Sequence, residues 1–238
     1  MASIGHVALL VRYPVKSMAG EILPEASLAI PGLAGDRMYA FRSSSAPPGM
    51  RYLAGQERRE MLRYMPGTDR NGVISVTAPS GETFAVDSPL LIENFRHYIS
   101  ERSDFRLVQS STPQTDVRPL SLISLKTIEK LSTELGHPLD HRRFRANIVL
   151  DLSNEAFAED HLEGKRIQIG SEATLRVLER DPRCRFITYD PDSPHTEEPL
   201  FAIMKLLDKQ HQGRAGVYAR VETPGIVHSG DLVDLLEE

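Results

Sequence analysis

The sequence has few of the residues that staple, anchor or address a protein. Its 238 residues include one cysteine, Cys184, and no tryptophan. A lone thiol excludes an intramolecular disulfide, a multi-cysteine zinc site and a self-contained iron–sulfur cluster, each of which needs several thiolates. No apolar run approaches the roughly 20 residues that span a bilayer, so no transmembrane helix is expected. The segment 1–20 does not read as a secretory leader, because Arg12 and Lys16 follow the apolar stretch 4–11 instead of preceding it. A cytoplasmic protein is expected. There is no excess of positive charge either: the net charge is −5, which opposes nonspecific nucleic-acid binding.

What remains is ordinary for a globular chain, 40% hydrophobic and 26% charged, long enough to bury a core unaided. Internal repeats and low-complexity segments are absent. The densest loop signals are 43–49 and 110–119, and the second is expected to divide a β-rich unit, residues 1–110, from a second unit, residues 111–238. Apolar or alternating runs predict strands over 4–11, 27–30, 38–42, 73–77, 82–86, 120–123, 147–150, 166–169, 174–179, 217–221 and 232–236. Helices are expected over 56–65, 90–100 and 199–209. A further helix, carrying Leu125, Ile128, Leu131 and Leu135 on one stripe, is expected behind a Ser124 cap and before Gly136. Many short strands, few helices and no βαβ alternation predict an α+β, predominantly β fold: a barrel or strongly bent sheet, which disfavours a Rossmann-type nucleotide site.

Four segments carry candidate chemistry. Cys184 lies in Arg180-Asp181-Pro182-Arg183-Cys184-Arg185, where flanking guanidinium groups favour the thiolate that attacks electrophiles or binds a soft metal. The bland alternative is the commoner one for a lone thiol, a small buried hydrophobe. Lys16 and Ser17, in Tyr13-Pro14-Val15-Lys16-Ser17, emerge where a strand becomes a loop and suit phosphate, though a solvated lysine beside a turn proline has the same sequence. Gly32-Leu33-Ala34-Gly35-Asp36-Arg37 can approach an anion through backbone N–H groups, with Arg37 beside it, or be only a tight turn. In His141-Arg142-Arg143-Phe144-Arg145-Ala146-Asn147, dense in donors, an extended chain projects Arg145 and Asn147 from one face, where they can grip a planar or anionic group; a solvated basic strand entry is the bland alternative. The eight histidines form no recognisable metal set.

Taken in order, these segments, with Ile148-Val149, Asp190-Pro191-Asp192 and Val217-Tyr218 before Gly230-Asp231, resemble the MOSC family in the branch of the mitochondrial amidoxime reducing component and its bacterial relatives. The resemblance implies a bent β-barrel MOSC domain over 111–238, after a smaller MOSC-associated N-terminal domain over 1–110. It also implies a molybdenum cofactor (a phosphorylated pterin) whose metal takes Cys184 as protein ligand. Lys16, Ser17, Arg37, Arg145 and Arg183 are then cofactor-binding, with Ser124 and Asn147 nearby. Ala146 stands where relatives commonly carry proline, Pro182 replaces a small polar residue, and the loop around 43–50 is shortened. The implied activity is reduction of N-hydroxylated small molecules, such as amidoximes or hydroxylamines. Electrons are expected from a separate flavin or iron–sulfur protein. A persulfide carrier built on Cys184, or a noncatalytic cofactor carrier, remain alternatives.

Overall fold

A computed structural model of the protein describes residues 2–43, 52, 55, 58–98, 104–153, 155–193 and 198–237. In the first part of the chain the strands are β1 (Ala2–Arg12), β2 (Glu21–Leu23), β3 (Glu25–Ala29), β4 (Gly32–Leu33) and β5 (Tyr39–Ser43). They are followed by β6 (Met65–Thr68), β7 (Ile74–Thr77), β8 (Thr83–Ala85), helix α1 (Pro89–Tyr98) and β9 (Phe105–Gln109). Next come β10 (Leu120–Ser124), α2 (Leu125–Leu135), β11 (Ile148–Leu152), β12 (Arg166–Ile169) and β13 (Ala173–Pro182). The chain finishes with α3 (Phe201–Gln210), β14 (Arg214–Thr223), β15 (Gly225–His228) and β16 (Leu232–Leu236).

Seven strands close on themselves in the order β11-β10-β14-β13-β12-β16-β1 and back to β11, with β2 attached beside β1. The fold is therefore mostly β and the barrel is closed. All of its neighbours are antiparallel except β10 and β11, which run parallel with Leu122 opposite Ile148. Although β1 lies far upstream of residue 110, it is a stave of this barrel, between β11 and β16.

Plain alternation along β1 would put Val7, Leu9 and Val11 on one face. A bulge between Val7 and Leu9 shifts the register, so Val7 and Leu10 face the barrel core while Ala8 and Leu9 pack against the outer helices. In β11, Ile148, Leu150 and Leu152 fill the barrel, and Val149 faces outward under Ile128 and Leu131 of α2 and Ile203 and Leu207 of α3. That two-sided burial explains why this strand reads as a continuous apolar run. The α2 helix begins after Ser124 and ends at Gly136, whose φ of 64° supplies the left-handed cap. Ser124 occupies the capping position, but its side chain makes no capping bond.

A second core lies outside the barrel and is made of residues between Val15 and Leu107, under α1, the β5–β9 pair and the β6-β7-β8 sheet. Phe95 is its centre: its ring meets Phe41, Tyr64 and Phe105 edge-on, with centroids 4.6, 4.7 and 5.9 Å away. The helix expected over 56–65 is instead a 3-10 turn, Arg59–Arg63, leading into β6; residues 56 and 57 lie outside the described ones. The three-residue spacing of the fully buried Met61 and Tyr64 suits that tighter winding. β13 runs on to Pro182, beyond the end expected at Glu179. The shortened loop expected around 43–50 falls almost wholly outside the described residues.

Truncating Phe95 to alanine should cost about 3–5 kcal/mol, the range for emptying a buried aromatic site, measured as a shift of the urea unfolding midpoint. Leu235→Ala, partly buried at the barrel rim, should cost less.

Candidate functional site

A cavity of about 140 Å³ opens where the C-terminal end of β1, the N-terminal ends of β10 and β11 and the far end of β13 come together. Lys16, Ser17, Arg37, Arg145, Asn147, Arg183 and Cys184 all line it. Ser124 does not: it sits at the other end of β10, where its N–H donates to Glu159 at 3.0 Å. The structure also adds residues that composition and motifs did not single out. Arg143 and Asp181 lay inside segments already noted and Tyr218 inside a matched pair. Ser121, a small polar residue in an apolar strand, gave no signal.

Asp36 organises the cavity's back wall. It is completely buried and accepts bonds from Tyr13 N–H (2.8 Å), Asn147 Nδ2 (3.0 Å) and the Arg37 guanidinium. Asn147 also donates to Val11 O (3.3 Å) and accepts from Ser121 N–H (3.3 Å), so its role is to clamp strands together. In the turn 32–37 the N–H groups of Ala34, Asp36 and Arg37 are occupied within the fold, donating to Ser27 O, Leu33 O and Tyr13 O. Only the Arg37 side chain reaches the cavity from there. Burial alone would lower the Arg37 pKa, but Asp36 outweighs it and raises the group above its ordinary value.

Arg145 is not extended. Its φ of 52° is left-handed, which breaks the expected alternation with Asn147 and swings the guanidinium between Tyr13 and Phe186, 4.2 and 4.9 Å from their ring centroids. One nitrogen donates to Met18 O at 2.7 Å, while buried Nη2 has no partner among the described residues. Burial lowers its pKa to about 10. Burial likewise lowers Lys16, against the opposing pull of Asp116 2.6 Å away, and Arg143, against Asp190. Tyr218 is shifted upward, first by burial and then by Asp181. Buried cations held below their usual pKa are stabilised by any anion that enters beside them.

Cys184 is exposed and caps the 3-10 turn Arg185–Thr188, its carbonyl accepting from Ile187 N–H at 3.2 Å. The flanking arginines have other partners. Arg183 donates to Ala215 O and Phe144 O, both at 2.7 Å, and stands 3.0 Å from Asp181. Arg185 lies over the rings of Tyr189 and Phe201. Arg183 thus fastens the cysteine loop to β14, and it can do so because Gly216 has no Cβ; one there would fall 2.5 Å from Leu122 O and 3.0 Å from Arg183 Nη2.

Arg and Lys side chains lining the cavity number six, against two aspartates, on a chain whose net charge is −5. Asp36, Asp190 and Glu179 answer Arg37, Arg143 and Arg118 from behind, which leaves Arg145 without a carboxylate partner among the described residues. A closed barrel with a cationic cavity and an exposed cysteine lining it defines the class: a mostly β, barrel-based protein. The chain belongs to the MOSC domain family, whose pattern it matches over residues 110–234. Among similar proteins, rat mitochondrial amidoxime reducing component 2 is 34% identical over 128 residues, 50% of this chain and 37% of that protein. Mouse mitochondrial amidoxime-reducing component 1 is 30% identical over 132 residues, 51% of this chain and 38% of that protein. The matched segments thus span well under half of those relatives. The YUAD protein of Bacillus subtilis shares the fold, with a TM-score of 0.54 and 16% identity over 96% of this chain and 93% of its own.

Glu159, beneath Ser124, is completely buried; its Oε2 and the Ser124 Oγ are unpartnered among the described residues. Burial raises its pKa above 4.5, against the hydrogen bonds from Ser124 and Thr127. A carboxyl with a raised folded-state pKa stabilises the fold below its unfolded pKa, and that contribution is lost as pH rises through the folded value. The melting temperature of Glu159→Gln should therefore gain on that of wild type as pH increases from about 4 to 8. A pH-independent difference would show that Glu159 does not titrate on unfolding.

Proposed function

We propose that this cavity holds the phosphorylated pterin of a molybdenum cofactor and that the protein reduces N-hydroxylated compounds such as amidoximes. The observation that carries the reading is Arg145, a buried cation in the cavity wall that alone among the cavity's cations has no carboxylate partner among the described residues. The donor set fits as well. Among the described residues no cluster of three His, Cys, Asp or Glu could hold a metal, so a metal held here must bring most of its ligands with it and need little more than one thiolate. That is what a metal carried by an organic cofactor requires. The related proteins named above support the reaction class by their names.

In this reading Lys16, Arg37 and Arg145 bind the phosphate, and Ser17 lies beside them in the wall. Tyr13 and Phe186 clasp the Arg145 guanidinium so that it is oriented before the ligand arrives. Cys184 supplies the protein sulfur to the metal, on a loop fixed by Arg183. When bound, the cofactor supplies the redox centre. Reduction of the N–O bond takes two electrons and two protons and releases water. One cysteine cannot ligate an iron–sulfur cluster within these 238 residues, so in this reading the electrons come from a flavin or iron–sulfur partner. A second reading, a persulfide carrier, is favoured by the exposure of Cys184.

The test is molybdenum content by elemental mass spectrometry in wild type and Cys184→Ala, both made in a cofactor-producing host. Near-stoichiometric metal in wild type and its loss in the variant are expected, together with Cys184-dependent turnover of an amidoxime by an artificial donor. Folded wild type free of molybdenum but carrying an added sulfur on Cys184 would replace this reading with the persulfide one.

A further inference from the structure

The segment 113–119 crosses the cavity mouth between two fixed points. Gln114 is buried, with its N–H on Arg37 O (2.9 Å) and its Nε2 on Met38 O (3.0 Å). Arg118 is held by Glu179 at 2.7 Å. Among the described residues, 115–117 make no backbone hydrogen bond between these points. Within this arc the side chain of Asp116 is 74% exposed, yet its Oδ1 lies 2.6 Å from Lys16 Nζ, on a side chain only 7% exposed. The pair is asymmetric. Lys16 is buried in the cavity wall, where its Nζ also donates to Gln114 O at 3.0 Å, whereas Asp116 faces water and regains full hydration on leaving.

We propose that Asp116 is a place-holding anion, which neutralises Lys16 while the cavity is empty and is displaced, with residues 115–117 moving outward, by the phosphate of an incoming ligand. The proposal rests on the reading of the cavity as a phosphate-binding site. It makes Asp116 a determinant of selectivity. A small monoanion reaching only Lys16 exchanges one anion for another and gains little. A dianionic phosphate ester that also reaches the Arg145 guanidinium, which lines the cavity and has no carboxylate partner among the described residues, gains a second cation and can evict the carboxylate.

The experiment uses the full chain produced in a host without the pterin cofactor and titrates inorganic phosphate into wild type and Asp116→Asn by calorimetry at low salt. If the displaced arrangement is populated at roughly one part in ten, removing the competitor tightens phosphate binding about tenfold. Asp116→Glu, which keeps the competing charge, should bind within about twofold of wild type, and thermal melts verify that all three proteins are folded. Equal or weaker binding by Asp116→Asn would overturn the proposal, by showing that Asp116 merely positions Lys16; so would no binding by either protein. The reading of the cofactor itself fails separately. Tighter phosphate binding by Asp116→Asn, with no molybdenum in wild type from the cofactor-producing host, would leave the role of Asp116 standing and remove the metal.

Discussion

The cavity depends on one buried carboxylate. Asp36 has no access to water, and an isolated charge there would cost several kcal/mol, so its site exists only while donors surround it. Those donors come from three segments distant in sequence: Tyr13 after β1, Arg37 beside it, and Asn147 at the start of β11. Asn147 in turn ties Val11 and Ser121 to the same point. Satisfying one charge therefore fixes the mutual position of β1, β10 and β11, the strands whose ends frame the opening. The cationic wall is built outward from this clamp.

Around it the backbone takes conformations that side chains disfavour. Ser17, Arg37 and Arg145 have φ values of 72°, 49° and 52°, and all three line the cavity. Left-handed residues other than glycine cost on the order of 1–3 kcal/mol and persist where surrounding contacts over-determine them. Here the contacts are the Asp36 pair for Arg37, the Tyr13 and Phe186 rings for Arg145, and a Gly55 N–H donated to Ser17 Oγ at 2.9 Å. The strain converges side chains from separate loops on one space, which regular strands leaving a barrel would splay apart.

The staves of the barrel were legible in the sequence, because Ile148–Leu152, Arg166–Ile169 and Leu232–Leu236 are apolar or alternating runs bounded by turn residues. So was α2, with its stripe and its Gly136 stop. The bulge in β1 was not, since a one-residue register shift is decided by both partners and leaves no local mark. At the site, the residue types were readable but their postures were not. Nothing in Phe144-Arg145-Ala146 announces a left-handed arginine, and nothing beside Cys184 announces that Arg183 reaches instead for Ala215 and Phe144. Ser124 was placed near the cavity by resemblance alone and lies at the opposite end of its strand, next to Glu159.

The closure of the barrel also bears on how the chain is made. β1 leaves the ribosome well before its barrel neighbours β11 and β16, residues 148–152 and 232–236. At roughly 5–20 residues per second, the second of these follows on the order of ten seconds or more after β1. In that interval β1 has an unpaired edge, which is a template for another nascent chain. Its pairing with β16 is interrupted between Ser3 and Gly5, and its pairing with β11 between Val7 and Leu9. Because such irregularities are set by both partners, they form only when β11 and β16 arrive, and the waiting strand is an open edge until then.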